Sequence, residues 1–165
     1  MGLKDELHAH IDGLRRYALV LTRNRDVAED LVQETLTKAI ARADTWQPGT
    51  ALRPWLFRIL HNTHISALRR EQVRSAAAPD LPAPVTPETQ HRHVELRQVL
   101  DALEKLPESQ RAPIVLIALE EMSYAEAARS LDVPLGTFMS RLGRGREALR
   151  KLVGEIKRGR INLIA

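Results

Sequence analysis

Two stretches of the 165-residue chain carry side chains whose types and spacing suit them to bind nucleic acid. The first is "DVPLGTFMSRLGRGREALRK", residues 132–151. Wound as a helix, it puts Leu135, Phe138, Leu142, Gly145 and Leu149 on one side. Thr137, Ser140 and Arg144 fall nearly opposite, with Arg141 and Lys151 at the flanks. Hydroxyls bind phosphates or base edges, and a guanidinium takes guanine or phosphate with two hydrogen bonds. Gly145 lies on the apolar stripe, where the missing side chain lets another helix come close. Gly143 does not, and it costs the helix about 1 kcal/mol with no packing reason. The second stretch is "RPWLFRILHNTHISALRR", residues 53–70. Leu52, Leu56, Ile59, Leu60, Thr63 and Ala67 form a core-facing stripe; Trp55, Arg58, Asn62, Ser66 and Arg69 form another side. Cations for the backbone, a planar ring for stacking and an amide for base edges are what a single strand of DNA requires. Trp55 suits a core equally well, and Phe57 reads as core.

Other chemistries find little support. The chain has no cysteine, so disulfides, thiol catalysis and Cys-ligated zinc are excluded, as fits a reducing compartment. His61 and His64 are three apart, and His91 and His93 two apart, but no Cys or carboxylate accompanies them at a ligand spacing such as H-E-x-x-H, so no metal is expected. No Ser-His-Asp order, phosphate loop or acid/base carboxylate pair stands out, and neither an enzyme nor a cofactor is expected. No apolar run reaches the ~18 residues of a membrane span, and "MGLKDELHAH" lacks the apolar stretch of a secretory signal, so the expected location is the cytoplasm.

The net charge of +4 is unevenly placed. Residues 53–74 hold 5 basic and 1 acidic side chains and residues 135–160 hold 8 and 2, whereas 75–134 hold 5 and 10. Two basic footprints on an acidic body fit a partner with phosphates at two places; charge alone fits two solvated helix faces as well.

The elements that would position these groups are helical, since apolar residues recur at three and four and never alternate. Helices are expected over 7–22, from Asp26 as N-cap with Glu29 at capping-box spacing, and over 53–70 with Pro54 in the first turn. "SAAAPDLPAPVTPE", 75–88, has four Pro and four Ala without helical pattern, and reads as an extended, flexible linker that could span roughly 40 Å. Beyond it a helix is stopped by Pro107, a second over 108–121 contains Pro113 and is expected to be irregular there, and a third starts at Ser123 with Glu126 completing a capping box. The break "LDVP" and the stretch after it complete a helix-turn-helix. The expected fold is all-α: two small helical domains, 1–74 and 89–160, joined by the Pro/Ala-rich linker, with the helix-turn-helix in the second.

In that order the pieces resemble a bacterial RNA polymerase sigma factor of the extracytoplasmic function (ECF) group. "DVAEDLVQETLTKAI" is similar to the helix of region 2 that docks on the polymerase clamp. "PGTALRPWLFRILHNTHISALRR" is similar to the segment that captures and melts the −10 promoter element. "LPESQRAPIVLIALEEMSYAEAARSLDVPLGTFMSRLGRGREAL" is similar to region 4, which reads the −35 element. The resemblance covers nearly all of 10–152 and implies a non-enzymatic promoter-specificity subunit whose partners are core RNA polymerase and promoter DNA. It implies core polymerase contacts at Asp30, Gln33, Glu34 and Lys38. Asn62, Thr63 and His64 would form a loop accepting a flipped base, which would bend the helix near Asn62, with Arg58, Ser66, Arg69 and Arg70 around it. Thr137, Ser140, Arg141 and Arg144 would read the −35 element. The pattern "PGT.LR.WLF.IL.NT..S", with Ser66 where many members have Asp, leans to the general stress response branch. That implies control by an anti-sigma factor which a sigma-mimicking response regulator removes. Two alternatives are a sigma-mimic that only sequesters an anti-sigma factor, and a helix-turn-helix repressor.

Overall fold

A computed structural model describes residues 2–77 and 94–164. Those residues are helical throughout their regular structure and divide, mainly between the fourth and fifth helices, into two compact units. The expected linker and the histidines at 91 and 93 lie largely or wholly outside the described residues.

The first unit contains α1 (Leu3–His8), α2 (Ile11–Thr22), α3 (Arg25–Ala41), a 3-10 turn at Ala43–Thr45 and α4 (Leu52–Ala77). The single helix expected over 7–22 is therefore two, broken at Ala9 and His10. Its C-terminus turns on Arg23, whose left-handed backbone (φ 53) lets its N–H donate to the Leu19 carbonyl at 2.8 Å. Asn24, not Asp26, caps α3: its side chain accepts from the Val27 N–H at 3.1 Å. Asp26 stands two residues past the cap and instead places its charge at the positive end of the helix dipole.

Packed between α2, α3 and α4 are Leu14, Tyr17, Val32, Leu56, Phe57 and Leu60, all essentially without exposure. Each apolar side chain of this size contributes about 1.5–3 kcal/mol by leaving water. The Tyr17 and Phe57 rings lie 5.4 Å apart, and the Tyr17 hydroxyl is 3.2 Å from His61 Nδ1. Phe57 is thus a core residue, while Trp55 is half-buried.

In place of the bend expected near Asn62, α4 is one unbroken helix from Leu52 to Ala77, running past the expected domain boundary at 74. Nothing in 60–66 supplies a glycine or proline to interrupt it. Its buried stripe stops at His64, so Ala67, expected in the core, is exposed.

The second unit contains α5 (Val94–Glu104), α6 (Glu108–Ala118), α7 (Tyr124–Ser130) and α8 (Leu135–Ile164). The irregularity expected at Pro113 is not seen: α6 runs through it, with the proline ring buried in the core, and ends at Ala118. Ser123 caps α7 as expected, its Oγ accepting from the Glu126 N–H at 3.1 Å. The core here is Ala102, Leu106, Val115, Leu116, Ala127, Phe138 and Leu142. Gly145 is buried where α8 meets α6; a Cβ there would stand 2.8 Å from the Gln110 carbonyl oxygen. That is the close approach expected of it.

Candidate nucleic-acid interfaces

In the first unit, α3 and α4 flank a cavity of about 350 Å³ lined by Lys38, Arg42, Thr45, Trp55, Arg58, Ile59, Asn62, Thr63 and Ser66. Spacing along one helix explains half of it: residues 55, 58, 59, 62, 63 and 66 follow the three-and-four repeat of one α4 face. The other half comes from α3, whose Lys38 and Arg42 stand four apart at its C-terminal end. The cavity thus brings together three cations, an indole, an amide and hydroxyls. That set can hold a planar, hydrogen-bonding group beside a phosphate.

Lys38 anchors one wall. Its ammonium donates to Thr63 Oγ1 at 3.2 Å and pairs with Glu34 at 2.9 Å. Thr63 Oγ1 in turn donates to the Ile59 carbonyl at 2.8 Å. Thr63 and His64 are buried, at 3% and 5% exposure, because an uninterrupted helix turns them toward the core; both are helical rather than in the expected loop. Asn62, Ser66, Arg58, Arg69 and Arg70 are on the surface or half-open to it. Of the residues expected to meet polymerase, Asp30, Gln33 and Glu34 are exposed together on one side of α3. Lys38, one turn further on, pairs with Glu34 of that group and also lines the cavity. Sequence reading missed Arg42 and Thr45 as cavity residues; the repeat from Lys38 to Arg42 was the available signal.

In the second unit, α7, the turn and α8 form the helix-turn-helix. The turn has a defined cause. Asp132 adopts the left-handed conformation (φ 55), its N–H donates to the Arg129 carbonyl at 3.2 Å, and the Val133 N–H donates to the Ala128 carbonyl at 3.1 Å. This paired arrangement closes a helix C-terminus, and aspartate tolerates the left-handed backbone better than most residues. Pro134 then bars any continuation of α7, while its carbonyl accepts from the Phe138 N–H at 3.0 Å to start α8.

Along α8, Ser140 and Arg144 are exposed, and Thr137 and Arg141 half-buried. Leu135, expected on the buried stripe, is 47% exposed at the first position of the helix. The Arg146 guanidinium donates to the Tyr124 hydroxyl at 3.3 Å, tying α8 to α7.

The described residues thus define a DNA-binding protein of two helical units, one with a cationic cavity and one with a helix-turn-helix. Comparison with known proteins narrows this. The family described as the Sigma2 domain of PhyR matches residues 7–61, and Sigma-70, region 4 matches residues 96–149. The ECF RNA polymerase sigma factor EcfG of Rhodopseudomonas palustris is 38% identical over 154 residues, spanning 92% of this chain and 85% of the relative. Among solved structures, the sigma factor RpoE of Bartonella quintana, in complex with the anti-sigma factor NepR, superposes with a TM-score of 0.78 at 35% identity, covering 92% of this chain and 96% of that one. CnrH, in complex with the cytosolic domain of CnrY, gives a TM-score of 0.67 at 26% identity over 92% and 87% of the two chains. The chain belongs to the ECF RNA polymerase sigma factors. Among the described residues no helix is long and apolar enough to cross a membrane.

Proposed function

We propose that this sigma factor binds core RNA polymerase through the exposed Asp30, Gln33 and Glu34 side of α3 and directs initiation at promoters with two separated elements. In the first unit a flipped base of the −10 element enters the α3–α4 cavity. There Trp55 offers a stacking face, Asn62 an amide for the base edge, and Lys38, Arg42 and Arg58 neutralise the neighbouring phosphates. Arg69 and Arg70, further along α4, follow the backbone of the opened strand. In the second unit α8 enters the major groove of the −35 element with Ser140 and Arg144 foremost and Thr137 and Arg141 beside them. The observation that carries this reading is the cavity, which joins an amide, an indole and three cations in one unit while the other holds a separate helix-turn-helix.

Regulation by an anti-sigma factor is supported by the likeness to the RpoE chain in complex with NepR, and a role in a general stress response by the pattern "PGT.LR.WLF.IL.NT..S". A second reading, a module that only sequesters an anti-sigma factor, draws on the match of residues 7–61 to the Sigma2 domain of PhyR. Run-off transcription with bacterial core polymerase and a genomic promoter pool separates them. Specific transcripts that fade in both Asn62→Ala and Arg144→Ala support promoter recognition by both units. No transcripts, together with tight binding to an anti-sigma protein, would replace it with the second reading.

A further inference from the structure

The outward face of α8 has an unusual composition. Gly136, Met139, Ser140, Gly143 and Arg144 follow one another at three and four residues, and each is exposed. A Cβ added to Gly136 or Gly143 would meet nothing within 4 Å, so neither glycine is demanded by packing. Met139 is 49% exposed, at the edge where this face meets the side of α8 that buries Phe138 and Leu142. About half of this long apolar side chain is thus left in water, between two bare positions and next to Ser140. Of the features a base pair presents in the major groove, only the thymine C5-methyl is apolar. A glycine on a helix face allows close approach of the backbone to a ligand.

We propose that Met139 reads a thymine methyl group in the upstream promoter element, and that Gly136 and Gly143 let the α8 backbone lie close enough to the base edges for it to do so. The proposal rests on the reading of α8 as the −35 reader and adds to it a base preference. Ser140 and Arg144 supply polar contacts to the same face, and Met139 supplies discrimination that hydrogen bonds do not.

The test uses holoenzyme reconstituted from the full chain and bacterial core polymerase. The probe is the best-transcribed fragment of the genomic pool, synthesised with each upstream thymine replaced singly by deoxyuridine, which removes only the methyl. At one or two positions wild-type holoenzyme should bind the uracil duplex about fourfold more weakly, the value of one methyl-sized apolar contact. Met139→Ala should bind both duplexes alike, and Gly143→Ala should bind more weakly although its fold is not weakened. Equal binding of thymine and uracil duplexes by the wild type, or discrimination retained by Met139→Ala, overturns the methyl contact. Full affinity in Gly143→Ala overturns the role of the glycines. Arg144→Ala distinguishes the two levels: if it weakens binding while every deoxyuridine is silent, α8 remains a DNA reader and the methyl contact alone falls. If neither has any effect, both fall.

Discussion

Two glycines on one helix, two residues apart, should respond to the same substitution with opposite sign. Alanine is favoured over glycine in a helix interior by about 0.8–1 kcal/mol. At Gly143 nothing lies within 4 Å of the added methyl, so Gly143→Ala should stabilise the second unit by about that amount. At Gly145 the methyl would stand 2.8 Å from the Gln110 carbonyl oxygen, 3.0 Å from Ile114 Cδ1 and 3.3 Å from Gln110 Cβ. The isoleucine tip can rotate aside, but the carbonyl belongs to the backbone of α6 and can move only with that helix. Overpacking of this kind costs about 1–3 kcal/mol, which exceeds the propensity gain. Gly145→Ala should therefore destabilise by up to about 2 kcal/mol once both terms are combined. In a unit of this size each 1 kcal/mol moves the melting temperature by about 4–8 °C. Both tryptophans, Trp46 and Trp55, lie in the first unit. Far-UV circular dichroism of the full chain should thus show a shifted transition, while the tryptophan fluorescence transition stays in place. A Gly145→Ala chain as stable as the wild type would refute the close approach of α6 and α8. A Gly143→Ala chain less stable than the wild type would refute the open outer face.

Three further outcomes follow from the packing. Asn24→Ala removes the cap of α3 and should lower the fluorescence-detected stability of the first unit by about 1 kcal/mol. Ser123→Ala removes the cap of α7 and should cost a similar amount in the second unit, read by circular dichroism with fluorescence unchanged. Phe57→Ala, at a site 1% exposed with its ring tilted against Tyr17, should cost about 3–5 kcal/mol and leave the first unit largely unfolded in urea that the wild type withstands.

Much of this architecture was legible in the sequence because it is encoded locally. The three-and-four repeat marked most of the buried faces, Pro134 and Asp132 marked the helix-turn-helix break, Ser123 and Glu126 marked a cap, and Gly145 on an apolar stripe announced a close approach. What escaped reading depends on where neighbouring helices end. Ala67 and Leu135 keep the right periodicity but stand past the end of the buried stripe of α4 and at the first position of α8, and both are exposed. Thr63 and His64 are polar, yet the uninterrupted α4 turns them inward. Lys38 pairs with Glu34 four residues before it, as local spacing allows, but its hydrogen bond to Thr63, 25 residues away, has no local signal. No local signal announces Thr45 there, because the cavity exists only once α3 and α4 are side by side.

The length of α4 has a consequence for motion. Its 26 residues make a rod of about 39 Å, yet its buried stripe ends at His64. From Ser66 to Ser75 every residue is exposed, so about three turns are held in helical form by propagation from the packed part rather than by a core of their own. One uninterrupted helix therefore runs on two clocks. The segment around Leu56 and Leu60 exchanges its amide protons only when the whole unit opens, whereas the segment carrying Arg69, Arg70 and Arg74 frays from its end at a far smaller free-energy cost. A phosphate backbone that grips those arginines would slow the second clock toward the first, and some of the binding free energy would go into ordering the helix it meets.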